Sequence, residues 1–280
     1  MLTVHAVDHV RRMRGGSQAH MLRCSDGHYY VVKFQNNPQG KRILVNELLG
    51  TLLAKQLGLP VQETAVVYVN DQIVQWSKGL LFHMPKGMIP CQAGLCFGSR
   101  YPVDDSSLLP LTVHDFVPEG HLQDVENLSD FAGMFVFDKW VCNTDHRQVI
   151  FARQDHRLPF RVAMIDQGSC FNAENWNFPD TPLYGIYRQP VVYSMVEGIR
   201  AFEKWIEALK QNIDEGVLRR ISDDVPPEWY DGDQEALARL LQHLDRRRLR
   251  VDELLWSTRL ASPKVFPKWS HPRRAMNTAS

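Results

Sequence analysis

The chain has 280 residues, enough for one large domain or two lobes around a cleft. Lys plus Arg and Asp plus Glu are each 32, with 44% hydrophobic and 23% charged residues. This is an ordinary globular composition without the global field that would suggest nucleic acid or an anionic membrane as a direct partner. The first residues are too polar for a secretion signal, and no apolar run approaches the roughly 18 residues of a membrane helix, so a cytoplasmic protein is expected. Cys24, Cys91, Cys96, Cys142 and Cys170 are scattered without a C-x-x-C pair. That argues against a disulfide framework or a zinc site, and predicts small buried side chains.

The first stretch alternates strands and turns. Met21–Cys24 and Tyr29–Phe34 flank Ser25-Asp26-Gly27, a hairpin signal. After a turn at 36–40, Leu44, Leu48 and Leu52 recur at helical spacing in a helix from about Lys41 to Leu57, stopped by Gly58 and Pro60. Val61–Val69 reads as a strand, Asn70-Asp71 as a turn, Gln72–Trp76 as a short strand, and the Pro-, Gly- and Ser-rich residues 84–111 as loop or linker. A helix follows, with Ser129 as its candidate cap and Phe131, Met134, Phe135 and Asp138 at helical spacing. Gln148–Arg153 and Phe160–Ile165 then form a second hairpin around a polar turn.

Residues 171–190 read as an aromatic, proline-containing loop. Amphipathic helices follow at 194–212 and 233–255, separated by Pro226-Pro227. Arg246, Arg247, Arg248 and Arg250 read as a solvated basic face, and 262–280 as a partly ordered basic tail. The pattern is α+β: an antiparallel, β-rich N-terminal lobe with linker (1–112), a mostly helical C-terminal lobe (113–260) and a tail (261–280).

Two aspartates at the ends of the second hairpin, Asp145 and Asp166, are the candidate chemical pair. A hairpin between them would bring both carboxylates to one rim, as phosphoryl transfer requires: one to orient a hydroxyl, the other to hold Mg²⁺. Alone, each is more readily a turn aspartate. Their weight comes from Lys33, at the end of an apolar strand, and Glu47, on the following helix beside its leucine stripe. A carboxylate there needs a partner if the stripe is buried, and Lys33 is the obvious one. Gly15-Gly16-Ser17 precedes the first strand of the hairpin, and its backbone N–H groups could approach phosphate oxygens, although a plain turn has the same composition.

Gly15-Gly16-Ser17, Val31-Val32-Lys33-Phe34, Asn46-Glu47, Phe137-Asp138-Lys139-Trp140 with Asn143-Thr144-Asp145, and Met164-Ile165-Asp166-Gln167-Gly168 together resemble the HipA-like kinase family, from Gly15 to about Leu255. The resemblance implies a two-lobed protein-kinase-like fold that binds ATP and Mg²⁺. It implies that Lys33 binds phosphate, Glu47 anchors Lys33, Asp145 is catalytic, Asn143 braces its loop and Asp166 holds metal. By the same resemblance the acceptor is a protein Ser or Thr hydroxyl and an antitoxin-like protein is a candidate regulatory partner. A lipid or small-molecule hydroxyl stays open as acceptor.

The chain departs from the family pattern at Ile150, where a second metal-ligating Asn is usual and a hard cation finds no ligand. Gln148, two positions earlier, carries an amide oxygen and could substitute. The Arg-His pair usual after the catalytic aspartate is inverted as His146-Arg147, and Gln167 stands where Phe is usual. A nucleotide-binding pseudokinase and an unrelated α+β protein are the competing readings.

Overall fold

The computed structural model describes residues 1–102 and 111–269; the remainder of the expected linker and tail lies outside the described residues. The chain begins with a strand that sequence patterning does not signal. β1 (Thr3–Arg12) turns Val4 and Ala6 inward, but the His, Asp and Arg residues between its apolar positions blur the alternation. β1 pairs antiparallel with β2 (His20–Cys24), which pairs with β3 (Tyr29–Lys33) as the Asp-Gly turn predicts. α1 (Arg42–Gln56) and β4 (Thr64–Val69) follow, and β4 lies parallel to β1.

Residues 72–76 are helical. α2 (Asp71–Trp76) is capped by Asn70, whose side-chain oxygen accepts from the Ile73 N–H at 2.8 Å. The Asn read as a turn residue is therefore an N-cap, its other common use. The expected linker is also structured. β5 (Leu81–Met84) and β6 (Gly87–Pro90) form a hairpin, and β7 (Gly94–Arg100) pairs with both β3 and β4 to close a barrel in the order β1-β2-β3-β7-β4. Gly98 explains why β7 looks like loop: a Cβ there would stand 2.5 Å from Val67 Cγ2. Its glycine is a close-packing requirement inside a strand.

β8 (Thr112–His114) spans the expected lobe boundary and pairs with β9 (Gln148–Arg153), which pairs with β10 (Arg161–Ile165). Between them α3 (Asp130–Val141) buries Phe131, Phe135, Phe137 and Trp140 completely. Each such side chain contributes about 1.5–3 kcal/mol of apolar burial. Ser129 makes no cap bond with its side chain. Asn127 instead ties the helix start to β10: its Nδ2 donates to the Asp130 carboxylate at 2.9 Å and to the Val162 carbonyl, and its Oδ1 accepts from the Val162 N–H.

α4 (Glu203–Asn212), α5 (Glu215–Ser222), α6 (Gln234–Arg248) and α7 (Val251–Ala261) complete the helical part, so the expected 233–255 helix is two. Within the expected tail, Val265, Phe266 and Trp269 are buried, and Phe266 packs against Phe135 and Phe202. Arg247 is likewise buried rather than solvated, and it donates to the Lys139 and Trp140 carbonyls that end α3.

Two apolar clusters result, one inside the barrel and one joining α1 to α3 and the C-terminal helices. A Met164 N–H to Pro60 carbonyl bond of 2.7 Å ties β10 to the turn after α1. No helix among the described residues is long and apolar enough to cross a membrane. All five cysteines are buried and free, and no described group of three or more His, Cys, Asp or Glu side chains could hold a metal.

Candidate active site

β3 ends on Lys33 and α1 turns Glu47 toward it, both nearly inaccessible to solvent. Lys33 Nζ donates to Glu47 Oε1 and, at 2.8 Å, to Asp166 Oδ1. The expected ion pair forms, and it includes a third member. Burial disfavours the Lys33 charge, but Asp166 and Glu47 outweigh it and raise its pKa. Burial pushes Glu47 above the usual carboxylate range against the pull of Lys33. Burial also opposes Asp166, yet the Lys33 ammonium prevails and holds it below that range. Asp166 therefore keeps its charge, while Glu47 is the member drawn toward a proton.

Asp166 follows β10 in a left-handed conformation, φ 57°, which turns its carboxylate off the strand line. The Gln167 N–H donates to Glu47 Oε2 at 2.9 Å. Gly168 lies against α1: a Cβ there would be 2.8 Å from Ile43 Cγ2 and 3.1 Å from Glu47 Oε1. The glycine permits this approach.

Asp145 stands on an exposed loop whose base is a buried ionic strut. Arg147 donates through Nε to Asp138 Oδ2 at 2.9 Å and through Nη2 to Oδ1, with both side chains fully buried. Its Nη1 reaches the Ile165 carbonyl at 3.0 Å, the residue before Asp166. Asn143 bridges outward from the strut: Nδ2 donates to Asp138 Oδ1 at 3.0 Å, and Oδ1 accepts from the Asp145 N–H at 3.2 Å. One network thus joins α3, the Asp145 loop and the strand leading to Asp166.

Asn143 stands where the family resemblance implies a brace; Asp138 and Arg147, although part of the same motifs, carry no role in the sequence alone. The available signal was Asp138 itself, an acid on the apolar stripe of α3 that must find a partner.

Gln148 opens β9 and stands opposite Ile165; its Nε2 lies 3.3 Å from Asp145 Oδ2. With its amide N–H turned to Asp145, its carbonyl oxygen remains as an acceptor. Ile150 is buried within β9 opposite Ala163, so the Asp145 loop closes before that position.

The Gly15-Gly16-Ser17 loop connects β1 and β2. Gly15 has φ 120°, Ser17 is buried, and a Cβ on Gly16 would meet the Gln39 amide at 3.1 Å. Its hydrogen bonds run to β5, where Gln18 exchanges two bonds with the His83 backbone at 2.8 and 2.9 Å. The structure thus brings Lys33, Glu47 and Asp166 into direct contact and links Asp145, Asn143 and Gln148 to them through β9 and β10. The glycine loop joins them through strand pairing, with Met21 opposite Val31. A cavity of about 580 Å³ at Asp26, Tyr30, Lys55, Glu63 and Arg100 involves none of these residues.

The HipA-like kinase family matches residues 7–257. The chain belongs to the HipA-like kinase family. Among solved structures this HipA-like kinase is similar to the Helicobacter pylori proinflammatory kinase CtkA, at 15% identity over 93% of this chain and 99% of that one, with a TM-score of 0.56. It is also similar to the Golgi casein kinase, at 12% identity over 97% and 77%, with a TM-score of 0.49. A structure of that kinase with Mn/ADP bound matches at 13% identity over 97% and 77%, with a TM-score of 0.43. No curated protein matches. The likeness to CtkA carries the fold alone: kinase-like, with mixed helix and strand.

Proposed function

We propose that this HipA-like kinase is an ATP- and Mg²⁺-dependent phosphotransferase with a two-lobed kinase architecture, acting in the cytoplasm on a Ser or Thr hydroxyl of a protein. The observation that carries the reading is Lys33 held at once by buried Glu47 and by Asp166, in a chain of the HipA-like kinase family.

The donor set fits a nucleotide-bound Mg²⁺. Asp166, whose carboxyl is held below the usual range by Lys33, would be an oxygen ligand; Gln148 donates its N–H to Asp145 and keeps an amide oxygen as acceptor; and no described cluster forms an all-protein cage. Mg²⁺ is commonly held by one or two carboxylates together with phosphate oxygens and water. When bound, Mg–ATP supplies the phosphoryl group and the cation that neutralises its charge. Lys33 would bind phosphate with Glu47 keeping its side chain extended, and Asp166 and Gln148 would hold the cation. The backbone N–H groups of Gly15, Gly16 and Ser17 would cover phosphate oxygens.

Asp145 would orient the acceptor hydroxyl and take its proton. Its carboxylate is exposed, and Oδ1 accepts from the His146 N–H at 2.7 Å. An antitoxin-like protein is the partner class this reading assigns to regulation.

The test is transfer of label from ATP, with Mg²⁺ or Mn²⁺, to the chain itself and to Ser- and Thr-containing peptides. Wild type is expected to transfer, and Asp145→Asn and Asp166→Asn to fall by about 10²-fold or more. Equal signal from all three would overturn the reading. Transfer to a lipid or small hydroxyl alone would overturn the protein acceptor.

One observation favours a second reading, a nucleotide-binding pseudokinase. Ile150 is a core strand residue, so the usual second metal ligand is missing at that position. Stabilisation by ATP–Mg²⁺ without turnover would favour it.

A further inference from the structure

Asn46 is completely buried on α1, one residue before Glu47, and has no part in the chemistry above. Its Nδ2 donates to the carbonyls of Gly168 at 2.8 Å, Cys170 at 3.0 Å and Ala173 at 2.8 Å. Its Oδ1 accepts from Trp176 Nε1 at 2.8 Å. A primary amide has two N–H groups, so three carbonyls converge on two hydrogens. The segment 168–176 is therefore wrapped around one side chain.

That wrapping is held against backbone preference. Phe171, Asn172, Ala173 and Trp176 have φ of 59°, 59°, 54° and 49°, a left-handed region that side-chain-bearing residues other than Asn rarely enter. Such a run persists only where its surroundings over-determine it. The surroundings are one face of α1, since Arg42, Asn46 and Gly50 follow at four-residue spacing. The Arg42 guanidinium lies 4.5 Å from the Trp176 ring centre, and a Cβ on Gly50 would be 2.8 Å from Gln167 Cβ. The residue after Asn46 on the helix, Glu47, accepts from the Gln167 N–H.

We infer that Asn46 is a positioning residue: segment 168–176 is a latch closed on α1 through its amide, and the latch keeps Glu47, and through it Lys33, in register with Asp166. The backbone of Gly168 and the side chain of Glu47 move with whatever holds α1 against this segment. Opening the latch would loosen the lysine pair and the metal-binding aspartate together. The contact is an uncharged amide reading backbone carbonyls, so closure needs no added charge on the segment. This role rests on the nucleotide reading for its functional consequence, but the coupling between the two elements can be measured without nucleotide.

The experiment compares wild type, Asn46→Ala and Trp176→Phe by hydrogen exchange and by calorimetry with ADP, with and without Mn²⁺. In Asn46→Ala, amides of α1 and of 168–176 are expected to lose protection together by about tenfold or more, while those of α3 and α6 stay unchanged. ADP affinity with Mn²⁺ is expected to fall by about tenfold, and without Mn²⁺ by less. Trp176→Phe keeps an aromatic ring but loses the indole N–H, and should shift both readouts the same way by a smaller factor; it carries the test if Asn46→Ala fails to fold. Loss of protection confined to 168–176, with α1 and ADP–Mn²⁺ affinity unchanged, would overturn the inference and leave Asn46 a local packing residue. If wild type binds no ADP, the nucleotide reading fails, and coupled or uncoupled exchange still decides the latch.

Discussion

Arg147→Met tests the buried strut beneath the two aspartates. Methionine approximates the hydrocarbon stem of arginine, so the substitution removes mainly the guanidinium. Three bonds go with it: two to Asp138 and one to the Ile165 carbonyl at 3.0 Å. Asp138 is left fully buried, with the Asn143 amide at 3.0 Å as its remaining side-chain donor. Removing one partner of a buried ion pair costs about 3–5 kcal/mol, most of it the penalty of the stranded charge.

Domains of ordinary stability unfold at about 5–15 kcal/mol, so the loss should be a large fraction of the total. It should appear in urea as a lower midpoint at an unchanged slope. Replacing both partners, with Asp138→Leu beside Arg147→Met, removes the stranded charge and should recover much of the loss. A single-variant cost below about 1 kcal/mol, or a double variant no better than the single, would refute the reasoning.

Gly168→Ala places a methyl 2.8 Å from Ile43 Cγ2 and 3.1 Å from Glu47 Oε1. Overpacking of this kind costs about 1–3 kcal/mol, and the displaced Glu47 should weaken ADP–Mn²⁺ binding in calorimetry; unchanged stability and affinity would contradict the packing described.

His20 is fully buried between Phe34 and Phe82, with Nδ1 3.1 Å from His9 Nε2. Burial, then His9 and Arg12, lowers its pKa from 6.5 to about 4. A depressed folded-state pKa means that its contribution is present above about pH 6.5 and lost as pH falls toward about 4. Thermal unfolding of His20→Phe should therefore lose less between pH 7 and pH 4.5 than wild type; equal losses would contradict the assignment.

Much of the site was legible because burial constrains charge. Glu47 beside the leucines of α1 demanded a partner, and Lys33 at a strand end was within reach. The hairpin between Asp145 and Asp166 followed from apolar runs on either side of a polar turn. The strands were less legible where side-chain patterning was weak. β1 interleaves charged residues with its inward positions, and β7 carries Gly94, at φ 127°, and Gly98, whose space is taken by Val67 and Tyr30.

Arg147 and Arg247 sit in polar or basic runs that look solvated, and both are buried through contacts that only the tertiary fold supplies: Asp138 and Ile165 for one, the end of α3 for the other. Asn46 was noticed for the company of Glu47, but four partners spread from Gly168 to Trp176 leave no local pattern to read.

The central claim is that Lys33, Glu47 and Asp166 form a nucleotide–metal site, and calorimetric titration with ADP in the presence of Mg²⁺ tests it most directly. Wild type should bind, Asp145→Asn should bind about as well, and Asp166→Asn should lose the part of the affinity that depends on Mg²⁺. No binding by wild type, or the same Mg²⁺-dependent affinity in Asp166→Asn, would contradict the account.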